Sequence, residues 1–171
     1  MLSAAESTRW AGLDPRAAAS FLSGRSLLRH LAADLLGVDP AAVPLTARCL
    51  DCGREHGRPS IVDSALQVSL SHSGDVVVAA AVWGSPIGVD VEAAAGSTER
   101  LDAIEALTGE RSLERWTRVE SVLKADGRGL RVDPRDVVMT GDVAHVVGSS
   151  TRYRLHELTI SGVVASVATG F

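Results

Sequence analysis

Three apolar segments, Leu66–Ser71, Val76–Trp83 and Ile87–Glu92, follow one another at short intervals. Ser73-Gly74-Asp75 and Gly84-Ser85-Pro86 interrupt them with residues that favour turns. This pattern predicts three successive strands and constrains the fold more than any other stretch. Val76–Trp83 is the longest apolar run, at eight residues, which suits a buried strand and cannot cross a bilayer. In the third strand side chains alternate between faces. Ile87, Val89 and Val91 then point into a core, and Asp90 and Glu92 share the other face, roughly 7 Å apart at about 3.3 Å per residue.

Helical signals flank these strands. Asp14, Pro15 and Gly37 mark the start and stop of a helix over 15–37, with Phe21, Leu22, Leu28, Leu31, Leu35 and Leu36 as its apolar stripe. Residues 38–65 are broken by Pro40, Pro44, Gly53, Gly57 and Pro59 and read mostly as loop. The small residues at 93–98 suggest a hinge. A helix is expected over 99–107 and another over 112–126, stopped by Gly127. Short strands are expected at 136–140, 143–147, 152–160 and 162–168. The order and content argue an α+β fold in two lobes, 1–95 and 96–171.

Composition removes several classes of function. The 171 residues are 46% hydrophobic with a net charge of −4, which excludes intrinsic disorder. There is no basic excess to neutralise phosphates, so a nucleic-acid partner is not expected. Residues 1–10 have neither a basic nor an apolar region of the signal-peptide kind. Two cysteines do not make a disulfide scaffold. A cytoplasmic protein without membrane contact is the expectation. Arginine supplies 16 of the 17 basic residues and lysine only one, Lys124. Compositional bias explains the arginines. The lone lysine marks a position where a proton that can be lost could matter.

Four clusters could carry chemistry. Asp90 and Glu92 could hold a hard cation such as Mg²⁺ through oxygen, or could be solvated acids at a strand end. Trp116, Glu120 and Lys124 lie at i, i+4 and i+8 on one helical face. There Glu120 could be a base or metal ligand and Lys124 a proton donor, or the two could form a surface ion pair. Ser69-Leu70-Ser71-His72-Ser73-Gly74 places a hydroxyl and an imidazole at a strand end, suited to a phosphate or merely to a turn. A Ser-His nucleophile is disfavoured, because adjacent strand residues face opposite ways and no Gly-x-Ser-x-Gly elbow is present. Cys49, Cys52 and His56 supply three zinc-type ligands where four are usual, so free loop thiols are the favoured reading and a zinc-stabilised interaction domain the weaker one.

Taken in order, these pieces resemble the 4'-phosphopantetheinyl transferases of the larger, surfactin-type class. The resemblance rests on Gly57-Arg58-Pro59, Ser69–Gly74, Ile87-Gly88-Val89-Asp90-Val91-Glu92, Trp116-Thr117-x-x-Glu120-Ser121-x-x-Lys124 and Gly127-Arg128-Gly129-Leu130. It spans roughly residues 9–169. It implies transfer of the phosphopantetheine arm of coenzyme A to a serine of an apo acyl or peptidyl carrier protein, with 3',5'-ADP released. It further implies two similar α+β lobes related by a pseudo-twofold, with coenzyme A in the cleft between them, and a monomer.

Carried over by residue, the resemblance makes Asp90, Glu92 and Glu120 the Mg²⁺ ligands and Glu120 and Lys124 the catalytic pair. Ser71 and His72 match positions that contact coenzyme A phosphates, and Arg58 matches a basic residue facing the same anions. Arg9 and Arg54 are placed with the nucleotide, and Asp90, Glu120 and Lys124 also border coenzyme A. Arg25 and Arg29 read as structural or rim residues. Three features depart from the family pattern. Val119 stands where a lysine is usual. The interval of 26 positions from Asp90 to Trp116 is short. The usual strand ahead of Arg9 is not expected. These departures bear on partner choice and leave a non-catalytic module that binds coenzyme A or a carrier protein as the alternative.

Overall fold

The structure is a computed structural model that describes residues 2–49 and 51–171. Its first helix, α1 (Ala4–Ala11), has no counterpart in the sequence reading. It is only eight residues long, too short to persist in isolation. A capping box between Ser3 and Glu6 starts it, and Glu6 docks it onto the next helix. That helix, α2 (Pro15–Leu36), has the boundaries its caps predict: Asp14 accepts from the Arg16 and Ala17 amides, and Gly37 closes the last turn.

The segment 38–65 is mostly irregular, with a short 3-10 turn and the paired strands β1 (Leu45–Thr46) and β2 (Ser60–Ile61). The expected hairpin follows as β3 (Leu66–Ser73) and β4 (Val76–Trp83). Leu28, Ala32 and Ala33 of α2 pack on Leu66 and Val68 of β3. Each such fully buried leucine or valine stabilises the fold by about 1.5–3 kcal/mol.

The third expected strand is β5 (Ile87–Ala93). Ile87, Val89 and Val91 are buried, as the alternation requires. Its ladder runs to the end of the chain and not to the hairpin before it. The five-stranded antiparallel sheet has the order β5, β9 (Val163–Gly170), β8 (Arg152–Leu158), β7 (Val143–Val146), β6 (Val137–Thr140). The strand carrying Asp90 and Glu92, expected in the first lobe, is therefore hydrogen-bonded among the C-terminal strands. Residues 93–98 follow it and lead into α3 (Thr98–Thr108).

The last helix, α4 (Leu113–Asp126), starts at the Ser112 cap and ends at Gly127. Val119, Val122 and Leu123 pack against Val137, Val146 and Tyr153 of the large sheet. The architecture is mixed α+β, with α2 on the hairpin and α4 on the sheet. No helix among the described residues is long and apolar enough to cross a membrane.

Two features bring the units into register. Gly88 permits a close approach of β5 to α4, since a Cβ there would run into the Ser121 carbonyl oxygen and the Ala125 amide nitrogen. The serines of β3 then line up along β5. Ser69 Oγ accepts from Val89 N at 3.0 Å, and Ser73 Oγ accepts from Ala93 N at 3.0 Å. Both pairs are offset in the same sense, so β3 and β5 run parallel, joined through hydroxyls.

Candidate active site

Asp90 sits at the centre of this seam, on β5, and is 5% exposed. Its Oδ1 accepts from Ser71 Oγ at 2.8 Å and from Lys124 Nζ at 2.6 Å. Lys124 also donates to Ser71 Oγ at 2.9 Å and to the Val89 carbonyl at 3.1 Å. All three hydrogens of the ammonium are thus engaged. The other carboxylate oxygen, Asp90 Oδ2, is buried and has no hydrogen-bond partner among the described residues.

An uncompensated buried acceptor is costly unless something occupies it. Burial pushes the Asp90 carboxyl above the ordinary carboxylate range, and the charge and hydrogen bond of Lys124 offset that only in part.

Glu120 is one helical turn from Lys124, yet the i, i+4 surface pair does not form. Lys124 turns to Asp90, and the Glu120 carboxylate accepts no hydrogen bond among the described residues. Burial raises its pKa, the negative charge of Asp90 adds to this, and Lys124 and Arg100 counter it. Two carboxylates with open oxygens thus share one electrostatic neighbourhood.

Glu92 is held differently. Its Oε1 accepts from Trp116 Nε1 at 3.1 Å and from Arg100 Nη2, and its Oε2 accepts from Ser73 Oγ at 3.4 Å. Arg100 stacks over the Trp116 ring at 5.5 Å. Ser73 belongs to the Ser69–Gly74 cluster without a role of its own there, and Arg100 is in no cluster read from the sequence. The serine was visible in the Ser69, Ser71, Ser73 alternation, whereas Arg100 reaches the site only because α3 follows β5 directly.

No protein-family model matches this chain, and no curated protein matches it. Arg58 donates to the Ile87 carbonyl at 3.1 Å and to the Ala125 carbonyl at 3.4 Å, which ties the 47–59 loop to both β5 and α4. With Lys124, Arg128 and Arg131 it lines a cavity of about 440 Å³.

His56, Gly57, Pro59 and Leu70 line this cavity and also a second one of about 280 Å³. The two are neighbours along this shared wall, a groove in two parts. Arg9, Arg25, Phe21 and His72 close the far part.

Most of the remaining expected residues thus fall into two stations, with Arg54 apart from both. Ser71, Asp90, Glu120 and Lys124 gather at the seam. His72 leaves β3 on the opposite side from Ser71, as alternation demands, and joins Arg9 in the far cavity. Arg9 donates to the Glu55 carbonyl at 3.2 Å and stacks over Phe21 at 5.2 Å.

Arg25, expected to be structural, is both structural and a lining residue. It lies 3.3 Å from Glu6 Oε1, is 4% exposed, and its Nη1 has no hydrogen-bond partner among the described residues. Arg29 is wholly structural, donating to Glu6 Oε2 at 2.6 Å.

Arg54 is the outlier. It lines neither cavity of the groove and donates from Nε to Cys52 Sγ at 3.4 Å. That contact, with a backbone bond and His56, lowers the exposed Cys52 thiol to a pKa of about 6.

A Mg²⁺ ion, if bound, suits this donor set in part. Asp90 Oδ2 is an orphaned hard oxygen, and Glu120 offers a second. Glu92 already has both oxygens engaged. The three acids do not bring donor atoms within 4.8 Å of one another; among the described residues only Cys49, Cys52 and His56 do.

Proposed function

We propose that this protein is a Mg²⁺-dependent 4'-phosphopantetheinyl transferase acting on an apo acyl or peptidyl carrier protein. The observation that carries the reading is the convergence of Asp90, Ser71 and Lys124 at one seam, with Glu120 beside them and a basic groove leading away. These groups come from β3, β5 and α4, which are remote in sequence. The order of motifs that resembles the family supplies the same residues independently.

In this reading α2 on the hairpin and α4 on the large sheet are the cores of two lobes related by a pseudo-twofold. The site is the cleft where β3 runs along β5. The groove takes coenzyme A. The far cavity, with His72, Arg9 and the spare Arg25 donor, receives one anionic end. Arg58, Arg128 and Arg131 border the rest. Guanidinium groups suit phosphate through paired donors.

Asp90 and Glu120 would hold the metal, with Glu92 fixing the Arg100–Trp116 wall beside them. Bound Mg²⁺ would neutralise pyrophosphate charge and polarise the phosphoryl group. Glu120 takes the proton of the carrier serine as its oxygen bonds to the phosphorus of the phosphopantetheine half. The bond to 3',5'-ADP then breaks. Lys124 exchanges one of its three bonds for an oxygen of the departing phosphate and stabilises its charge or supplies its proton.

The test is intact-mass measurement of an apo carrier protein incubated with this protein, coenzyme A and Mg²⁺, with and without EDTA. A phosphopantetheine-sized gain that EDTA abolishes is the expected result. No gain across several acyl and peptidyl carriers, with coenzyme A still bound, would favour the non-catalytic binding module.

A further inference from the structure

We infer that the 47–58 loop is a zinc site, with Cys49 Sγ, Cys52 Sγ and His56 Nε2 as protein ligands and water as the fourth. The donor atoms of the three residues all lie within 4.8 Å of one another. Cys52 Sγ and His56 Nε2 are 2.9 Å apart. Tetrahedral Zn²⁺ bonds sulfur at about 2.3 Å and imidazole nitrogen at about 2.0 Å, so small side-chain shifts enclose the ion.

Backbone hydrogen bonds among the described residues hold both ends of the cluster. Gly57 N donates to the Ala47 carbonyl at 2.6 Å, and Cys49 N donates to the Arg54 carbonyl at 2.7 Å. Gly53 N bonds back to the Cys49 carbonyl at 2.9 Å, with Gly53 at φ +71°, a conformation that disfavours a side chain. Glu55 fastens the loop from below by accepting from the Ala47 amide and the Thr46 hydroxyl.

The charges balance as well. Two thiolates and a neutral imidazole neutralise Zn²⁺, and binding releases the thiol protons. Arg54 Nε donates toward Cys52 Sγ, the outer contact that a metal thiolate accepts. Asp51 Oδ2, 3.8 Å from Cys49 Sγ, is engaged by Arg131 at 2.6 Å, and water is taken as the fourth ligand in its place.

Both cysteines are free, and Cys52 and His56 are exposed, so an ion can enter. His56 and Cys49 also line the groove, and Arg58 ends the loop. The ion would act as a staple that fixes the groove wall, separately from any Mg²⁺ at Asp90.

The probe is Co²⁺ titrated into reduced, chelator-treated protein, followed by Zn²⁺ displacement and metal analysis. One equivalent is expected, with a thiolate-to-cobalt charge-transfer band and the visible bands of a tetrahedral site. Cys52→Ser and His56→Ala should weaken binding at least tenfold, whereas Glu120→Gln should leave the band unchanged. Unaltered affinity in Cys52→Ser, or no charge-transfer band at millimolar cobalt, would overturn the site.

Discussion

Lys124 Nζ lies 2.6 Å from Asp90 Oδ1, although the two are 34 positions apart in sequence. The same ammonium bonds Ser71 Oγ and the Val89 carbonyl, so one point charge serves β3, β5 and α4 together. A guanidinium is planar and wide and cannot direct three divergent donors from one nitrogen. Lys124→Arg should therefore lower the proposed phosphopantetheinyl transfer by roughly a hundredfold, the usual scale for a misplaced proton donor. Far-UV circular dichroism should show the fold intact. A full rate in the arginine variant would mean that charge alone is what the position supplies.

Glu120→Gln should abolish the proposed transfer and, in metal-free protein, raise stability at neutral pH. Burial and the Asp90 charge raise the folded pKa of Glu120 above its unfolded value. The folded state then binds more protons, so stability falls as pH rises from the ordinary glutamate range through the raised folded value. Glutamine removes that loss. Urea midpoints in EDTA should diverge between wild type and variant across this window and converge below it. Parallel curves would refute the electrostatic account of Glu120.

Glu6 shows the opposite sign. Burial acts to raise its pKa, but the hydrogen bonds from Arg29 and the Ser3 amide and the charges of Arg29 and Arg25 outweigh it and hold the carboxyl below its usual range. Its stabilisation is complete above the ordinary glutamate pKa and is lost as pH falls through the lower folded value. Glu6→Gln should cost about 3 kcal/mol at neutral pH by leaving two buried arginines unpaired. Its stability should also depend less on acid. Denaturation series below pH 5 check this, and an unchanged acid slope in the variant would count against it.

Gly88→Ala should loosen α4 from β5. The added Cβ meets the backbone at Ser121 and Ala125, which cannot turn aside as a side chain can. Overpacking of this kind costs about 3 kcal/mol or more. Chemical denaturation gives the cost, and transfer activity should fall with it because Lys124 would no longer reach Asp90. A variant as stable as wild type would show that the two elements can part without penalty.

Local periodicity made much of the site legible in the sequence. Strand alternation buried Val89 and Val91 and put Asp90 and Glu92 on one face, because successive Cβ atoms point to opposite sides. Helical spacing put Trp116, Glu120 and Lys124 on one side of α4, the Asp14 cap fixed the start of α2, and Gly127 fixed the end of α4. The same alternation parted Ser71 from His72.

What the sequence alone determined was therefore direction, residue by residue along each element. Partnership was decided only in three dimensions. Strand β5 pairs with β9 and not with its neighbour β4, Lys124 chooses Asp90 over Glu120, and Arg54 turns to Cys52. Direction follows from backbone stereochemistry within a few residues. Partners depend on which apolar faces close over one another across the whole chain, and on which polar groups that closure leaves to satisfy each other.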